Sequence, residues 1–242
     1  MMLLPGAVAA SQSLTGAVFD PLTSVAGYQA VWWAENPGQT FPSNGVELDA
    51  WNDASGSARH LINGEANSTR PAYATSVAGL NNKPAVLFDS ANFEYLAVSW
   101  TAVPQPMDWF IILKQTTVNA GTIKVIFAGL DATYVQALDT LFDGSWWGIA
   151  PDGNLIVGTV DTAAHSLFIH FDGASSYITL DGTTTDTGTE SGGQTRGIVL
   201  GKYFDGSLPW GGHVAFLACK QTFTSQEKAN LIAWSKTHYT TP

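Results

Sequence analysis

The sequence predicts an all-β sandwich with one C-terminal helix. Three observations support this fold class. Only 12% of the 242 residues are charged and 45% are hydrophobic, with 24 glycines, which is typical of a protein of sheets and turns. Hydrophobic residues alternate with polar ones in short segments separated by Asp-Gly turns. A chain of this length can also bury about three quarters of its unfolded surface within one domain.

The clearest element is a β-hairpin over residues 164–182. Its first strand places Leu167, Ile169 and Phe171 at alternate positions, the spacing of one buried strand face. Asp172-Gly173 supplies the turn, because Gly accepts positive φ and Asp can bond the turn backbone. A second strand over residues 177–180 completes the hairpin.

The other strands are predicted from similar short patterns between turn residues. Before the hairpin they cover residues 28–34, 46–51, 85–89, 94–99, 109–114, 122–130, 134–142, 145–150 and 154–160. After it, residues 183–193 are predicted to form a Thr- and Gly-rich loop, and strands follow at residues 197–204 and 213–220.

One helix is predicted near the C-terminus. Thr224 and Glu227 form a capping box, in which each side chain bonds the other residue's backbone N–H. The helix is expected to run to about residue 237. Its side facing the sandwich is predicted to carry Ala229, Ile232, Ala233 and Trp234.

The chain divides into an N-terminal arm and a single larger domain. Residues 1–26 are apolar and small without a clear period, which predicts an arm that docks on its own sheet or on a neighbouring chain. Residues 27–242 form the sandwich domain. No segment approaches the roughly 20 apolar residues of a membrane span, and the first residues lack the basic start of a signal peptide.

Two motifs resemble a known family. The first is W-x-D-x-S-G-x-x-x-H, made by Trp51, Asp53, Ser55, Gly56 and His60. The second continues through Asn81 or Asn82, Lys83, Pro84, Ala85, Val86, Phe88 and Asp89 to Tyr95 and Leu96. Together with the Asp-Gly hairpin and the closing helix, they resemble laminin-G-like, concanavalin A-like domains of the bacterial and bacteriophage type. The resemblance covers residues 28–238 and implies a two-sheet antiparallel jelly-roll sandwich.

The charge and cysteine content exclude several classes of partner and site. The formal net charge is −10, and no basic cluster occurs, so we expect no nucleic-acid binding. Cys219 is the single cysteine, which excludes an internal disulfide and a cysteine-based metal site. Its apolar surroundings predict a small core residue.

The sequence offers little support for catalysis. Hydrolytic relatives of the fold carry two or three carboxylates on one strand, whereas here Glu47 and Asp49 are the nearest pair. Lyases of the fold need a cluster of Arg, His, Tyr and Gln, and only His165, His170 and Tyr177 come close. We therefore expect no enzyme activity.

Glycan binding is the more plausible role, because sugars bind flat aromatic faces beside a few polar groups. The candidate residues are Trp210, Tyr203, Asp205, His213, Trp146 and Trp147, with Trp210 as the aromatic residue expected to be exposed. No cofactor is expected, and Ca²⁺ is the one candidate ion. Its weak candidate ligands are Asn52, Asp53 and Asp205, although Asp residues more often hold turns.

These observations favour a non-enzymatic structural or adhesion protein of a bacteriophage virion, such as a capsid decoration, head fibre or tail adhesin. Its expected partners are other virion or surface proteins through the arm, cell-surface glycans and further copies of itself. The alternatives are a glycoside hydrolase or polysaccharide lyase of the concanavalin A-like fold, or a stand-alone lectin module outside the cell or on its surface.

Overall fold

The computed structural model describes residues 19–65, 67–118, 121–133, 136–140, 146–149, 155–189 and 193–242. Its helices and strands, in chain order, are α1 (Pro21–Ser24), β1 (Ala30–Trp33), β2 (Ala50–Trp51), β3 (Leu61–Ile62), β4 (Ala72–Val77), β5 (Lys83–Phe88), β6 (Leu96–Pro104), β7 (Met107–Gln115), β8 (Lys124–Ala128), β9 (Ala137–Thr140), β10 (Trp146–Ile149), β11 (Leu155–Val157), β12 (Ala164–Phe171), β13 (Ser176–Leu180), β14 (Thr184–Gly188), β15 (Gln194–Leu200), β16 (Gly212–Lys220) and α2 (Ser225–Tyr239).

The strands form two antiparallel sheets. Sheet A has the order β14-β13-β12-β7-β16-β5-β4, and β1 also pairs with β16. Sheet B has the order β11-β10-β9-β8-β15-β6-β3-β2. The predicted all-β fold, with two antiparallel sheets and a C-terminal helix, is confirmed. In the part of the chain that the structure describes, no helix has the length and apolarity needed to span a membrane.

The space between the sheets is filled by hydrophobic side chains from both inner faces. Trp32, Trp51 and Trp109 are among the largest of these fully buried residues. Cys219 is also fully buried in this core, as the sequence predicts. Burying a large side chain contributes about 1.5–3 kcal/mol, so this layer supplies much of the driving force for folding.

A second apolar layer covers the outer face of sheet A. Phe110, Phe168 and Phe216 point outward from the sheet and pack against α2, which buries Leu231 and Trp234. Residues 19–25 join this layer, with Val25 buried within it. The rest of the N-terminal arm lies outside the described residues, so its docking stays a prediction.

The helix begins as the sequence predicts, but its buried face is different. The Glu227 N–H donates to Thr224 Oγ1 (3.2 Å), and the Thr224 N–H donates to Glu227 Oε2 (2.7 Å). Ala229 and Ala233 are exposed, however, and Ile232 is half-buried. The buried positions also include Ser235 and Tyr239, because the helix is rotated to seat its larger side chains on sheet A.

A buried carboxylate connects α2 to sheet A. Asp108 on β7 is only 1% exposed, and its Oδ2 accepts the Phe223 N–H (2.7 Å) and lies 3.0 Å from Lys228 Nζ. Its Oδ1 contacts Nδ1 of His170, and Lys228 also contacts the Tyr177 hydroxyl. Removing one member of such a buried pair is strongly destabilising, because it leaves a charge uncompensated.

Two elements differ from the sequence prediction. Residues 183–193 were expected to be a loop, yet β14 lies within them and pairs with β13. This strand is an exposed edge of polar residues, so it lacks the hydrophobic alternation that marks other strands. The hairpin turn is also longer than a two-residue turn, because residues 173–175 form one 3₁₀ turn.

His165, near the start of β12, bonds aspartates in the segments before β12 and after β13. Its Nδ1 lies 2.7 Å from Asp181 Oδ2, and its Nε2 lies 2.9 Å from Asp161 Oδ1. Burial opposes protonation of His165, but the hydrogen bonds and charges of Asp181 and Asp161 outweigh it and raise its pKa above 6.5. The pKa of Asp161 is lowered by its bond to His165 against the opposing effect of burial, and the charge of Lys114 lowers it further.

Replacing His165 by Gln should therefore destabilise the protein more at pH 6 than at pH 9. A raised folded-state pKa contributes stability that is complete below pH 6.5 and lost as pH rises through the folded value. We expect a loss of about 1.5–3 kcal/mol at pH 6, the range for hydrogen bonds to charged groups. Urea unfolding at both pH values measures it, and an equal loss at both would contradict this account.

Candidate functional site

An open groove lies on the outer face of sheet B, where β3 and β6 run side by side. Leu96 and Val98 contact the core between the sheets, so Tyr95, Ala97 and Ser99 point outward by strand alternation. On β3, Leu61 is buried, and Ile62 is 53% exposed and lies opposite Ala97. A volume of about 490 Å³ is lined by His60, Ile62, Gly64, Tyr95, Ala97, Val98, Ser99 and Leu130.

The groove exists because its floor is made of small residues. Ser99 on β6 lies opposite Gly197 on β15, and Leu130 lies over this glycine. A Cβ on Gly197 would be 2.5 Å from Leu130 Cδ1 and 2.2 Å from the Val98 carbonyl oxygen. Its φ of +146° also lies in the region that favours glycine. Ile62 and Leu130 therefore form two apolar walls above a low floor.

The loop before β3 is organised by the buried carboxylate of Asp53. Its Oδ1 accepts the N–H groups of Val31 (2.8 Å) and Ser55 (2.9 Å). Its Oδ2 accepts the Ser55 hydroxyl (2.8 Å) and the Arg59 N–H (3.2 Å). These bonds close the W-x-D-x-S-G-x-x-x-H loop and anchor it to β1, which fixes the position of His60 beside the groove.

His60 presents a neutral hydrogen-bond donor to this surface. The Asp53 backbone N–H donates to Nδ1 of His60 (3.0 Å), so Nδ1 acts as an acceptor and carries no proton. The proton of the neutral ring then lies on Nε2. His60 is exposed, and with the exposed hydroxyl of Ser99 it supplies polar contacts next to the apolar walls.

Tyr95 closes one end of the groove and is held by two charged neighbours. Lys202 Nζ lies 3.6 Å from the centre of its ring, a cation–π contact. Burial and a hydrogen bond to Glu65 raise the pKa of the Tyr95 hydroxyl. Burial lowers the pKa of Lys202, and the charge of Glu65 opposes that shift. The positively charged Lys202 and the negatively charged Glu65 thus both contact the tyrosine.

The sequence prediction that Trp210 is exposed is wrong. Trp210 is 0% exposed, and its Nε1 lies 3.4 Å from its acceptor, Gln115 Oε1. The indole folds back across Gly212, where an added Cβ would come within 2.3 Å of it. Proline and glycine around Trp210 therefore allow its burial, and this ring has no face to offer a ligand.

The other glycan-binding candidates are not gathered into one site. Tyr203 packs on Phe204 (4.2 Å between ring centres), and both cover an outer part of sheet B. Asp205 is exposed and accepts the Ser207 N–H (2.8 Å). Burial, with a smaller effect of Lys114, lowers the pKa of His213 to about 4. Trp146 and Trp147 belong to β10, and their side chains lie outside the described residues.

The calcium candidates have local structural roles. All four bonds to the Asp53 carboxylate come from the protein, as described above, and the Asn52 N–H donates to Gln39 Oε1 (2.8 Å). Asp205 holds a turn. Within the described ranges, no group of three or more His, Cys, Asp or Glu residues is arranged to hold a metal ion.

Glu47 and Asp49, the carboxylate pair noted in the sequence, line a second cleft of about 430 Å³. Asp49 is paired with Arg70 (2.6 Å), and its side chain is 76% exposed. Phe41 also lines this cleft, but its ring is stacked on Tyr73 at 4.5 Å. The cleft therefore holds two acidic groups, one of which is paired with an arginine.

The residues considered for a lyase site do not converge. His165 and His170 lie five positions apart on β12 and so point to opposite faces of sheet A. His165 bonds Asp161 and Asp181, whereas His170 contacts Asp108 and stacks on Tyr177 at 4.8 Å. These contacts make both histidines parts of the structural framework described above.

The groove was missed because no single stretch of sequence contains it. His60 and Tyr95 belong to the two family motifs, yet the motifs assign them no role. Their neighbours Ser99, Leu130 and Gly197 come from distant parts of the chain. The alternation of Ala97 and Ser99 with Leu96 and Val98 was the one available signal that this strand has an open face.

Replacing Gly197 by Ala should distort the groove. The added methyl group must displace Leu130 or the Val98 carbonyl, and it also strains the backbone. We expect a loss of about 1–3 kcal/mol in unfolding free energy. Gly64 provides the control, because an added Cβ there meets nothing within 4 Å. If Gly197→Ala were as stable as Gly64→Ala, the close approach would not be a real constraint.

No protein-family model matches this chain, and the search of curated proteins found no match. Among solved structures, the chain is similar to a Trypanosoma rangeli sialidase in complex with sialic acid, with a TM-score of 0.58 and 11% identity over 88% of this chain and 33% of that one. It is also similar to a GH54 α-L-arabinofuranosidase soaked with 4-nitrophenyl α-L-arabinofuranoside, with a TM-score of 0.56 and 13% identity over 78% of this chain and 50% of that one.

A third similar structure is an arabinofuranosidase complexed with arabinofuranosyl-α-1,2-xylobiose, with a TM-score of 0.57 and 12% identity over 78% of this chain and 50% of that one. The chain thus spans only a third to a half of these proteins. At such low identity the similarity establishes a shared β-sandwich fold.

These comparisons correct the function expected from the sequence. The expectation of a non-enzymatic bacteriophage structural or adhesion protein is contradicted, because the similar solved structures described above are glycoside hydrolases. The alternative expectation, a glycoside hydrolase or polysaccharide lyase of this fold or a stand-alone lectin module, is better supported.

Proposed function

We propose that this chain is a carbohydrate-binding β-sandwich of the concanavalin A-like type, with its ligand site in the groove between Ile62 and Leu130. The observation that carries the proposal is the composition of this groove. Apolar walls stand on both sides of a floor formed by Ala97 and Ser99, and His60 adds a polar group at the rim.

Sugars need this combination of surfaces. A pyranose or furanose ring presents apolar C–H patches next to hydroxyl groups, so a site needs both apolar contact and a few placed donors and acceptors. Ile62 and Leu130 supply apolar contact, while His60 Nε2–H and the Ser99 hydroxyl supply hydrogen bonds. A volume of about 490 Å³ falls within the usual range of small-molecule sites, roughly 300–1,000 Å³.

The fold comparisons add a second line of support. Two of the similar structures are complexes of those proteins with sialic acid and with an arabinofuranosyl-xylobiose. Because this chain spans a third to a half of their length, we carry over carbohydrate recognition and not their reactions.

Filling the groove should abolish binding. Ser99→Trp places a large ring on the groove floor at an exposed position, so we expect stability to be kept and affinity for a bound oligosaccharide to fall at least about tenfold. Ser76→Trp, at an exposed position of sheet A, is the matched control. Screening neutral and acidic oligosaccharides on an array, followed by calorimetric titration, measures the effect.

Two results would contradict the proposal. One is that the folded protein binds no carbohydrate on the array. The other is that Ser99→Trp and Ser76→Trp bind as tightly as the native chain, which would place the ligand elsewhere.

A second candidate function is glycoside hydrolysis at the cleft that Glu47 and Asp49 line. The observation that favours it is the presence of two carboxyl groups in one cleft, since most glycosidases use such a pair as acid and nucleophile or base. One observation argues against this function. The Asp49 carboxylate is exposed and paired with Arg70, whereas a catalytic carboxylate has to be available to the substrate.

Hydrolysis can be tested with a panel of 4-nitrophenyl glycosides. If the cleft is catalytic, the native chain releases nitrophenol, and Glu47→Gln and Asp49→Asn each lower the rate at least about 100-fold. Asp186→Asn, on sheet A, is the control for purification artefacts. Absence of release, or equal rates in all four proteins, would exclude this candidate.

A further inference from the structure

We infer that the groove selects uncharged glycan segments and discriminates against sugars that carry a carboxylate. This inference rests on the proposed function and names the ligand class of the same groove. It comes from the basic side chains around the groove, each of which already contacts another side chain of the protein.

Lys202 is the cation nearest to Tyr95, which closes the groove. Its ammonium group lies over the Tyr95 ring at 3.6 Å and interacts with the charge of Glu65. Glu65 also bonds the Tyr95 hydroxyl. A ligand carboxylate that approached Lys202 would also come near Glu65, and the negative charges of the ligand and of Glu65 would repel each other.

At the groove wall formed by Leu130, a basic residue is likewise close to an acidic one. Arg196 precedes Gly197 on β15, and its Nη1 lies 3.8 Å from Oδ2 of Asp131. Asp131 directly follows Leu130, so the acidic group and its arginine stand together at this wall. Beyond β3, Arg70 is paired with Asp49 (2.6 Å) and also donates to the Glu65 carbonyl oxygen (3.3 Å).

The remaining basic residues of this region do not supply a binding charge. Arg59 lies over the Trp100 ring at 4.7 Å and donates to Gln29 Oε1 (2.9 Å). His60 accepts the Asp53 N–H at Nδ1. Recognition of a carboxylate usually needs a charge-assisted bond from Arg or Lys, and here each such bond would compete with an existing contact of that side chain.

The electrostatic field of the whole protein also disfavours ligands that carry a carboxylate. The chain has 20 acidic and 10 basic residues, a formal net charge of −10, so an anionic ligand is repelled at low ionic strength. The His60 Nε2–H and the hydroxyl of Ser99 can form hydrogen bonds with the hydroxyl groups of a neutral sugar. The groove is therefore suited to neutral pentose or hexose segments.

Matched pairs of ligands test this inference. We would titrate the native chain with galactotriose against trigalacturonic acid, and with lactose against sialyllactose, alongside xylan and arabinan oligosaccharides. We expect at least one neutral ligand to bind at least about tenfold more tightly than any carboxylated one. Its affinity should change little between 20 mM and roughly 500 mM NaCl, since no ion pair forms on binding.

Charge variants give a second readout. Glu65→Gln removes the negative charge that acts on Lys202, and Asp131→Asn removes the acidic partner of Arg196. The ratio of carboxylated to neutral affinity should therefore rise at least about threefold. Asp186→Asn makes the same charge change on sheet A and should leave this ratio as it is. A ratio that moves equally in all three variants would show that only the net charge matters, and would overturn the inference.

The outcomes separate the inference from the proposed function. Carboxylated ligands that bind as tightly as neutral ones, with binding lost in Ser99→Trp, would overturn the charge selection and leave the groove as the binding site. Failure of every ligand of both classes to bind would overturn the proposed function, and the inference with it.

Discussion

The burial of both faces of sheet A is the constraint on which the rest of the structure depends. One face packs against sheet B, and the other is covered by α2 and residues 19–25. The buried Asp108 carboxylate stabilises this arrangement, since it joins β7 to Lys228 on α2 and to the Phe223 N–H. Among the described residues no helix covers the outer face of sheet B, and the groove forms on this open β-sheet surface.

The groove combines two further constraints. Its depth comes from small residues that meet across strands, because Gly197 allows Leu130 to approach and Ala97 leaves Ile62 standing above the floor. Its rim is fixed by Asp53, whose four accepted bonds hold the loop that carries His60. Rigid placement of a few polar groups lowers the entropy that must be lost when a flexible glycan binds. The basic side chains beside the groove already contact other residues of the protein, which makes this surface less suited to binding an anion.

Much of the fold is predictable from local patterns, and the site is predictable only in part. Local sequence alone predicts the strands with hydrophobic alternation, the capping box of Thr224 and Glu227, and the buried Cys219. β14 does not, because an exposed edge strand has no buried face to mark it. Trp210 was expected to be exposed from its Pro- and Gly-containing loop, but its burial depends on the space above Gly212 and on Gln115 in another strand. The groove likewise depends on strands that are far apart in sequence, so the motif containing His60 indicates a structured loop and not the surface beside it.

The most direct measurement is a crystal structure of the chain soaked with a mixture of neutral oligosaccharides. The account predicts electron density for a sugar above Ala97 and Ser99, between Ile62 and Leu130, with a hydroxyl within hydrogen-bond distance of His60 Nε2. Density in the cleft beside Glu47 and Asp49, with the groove holding only water, would contradict it.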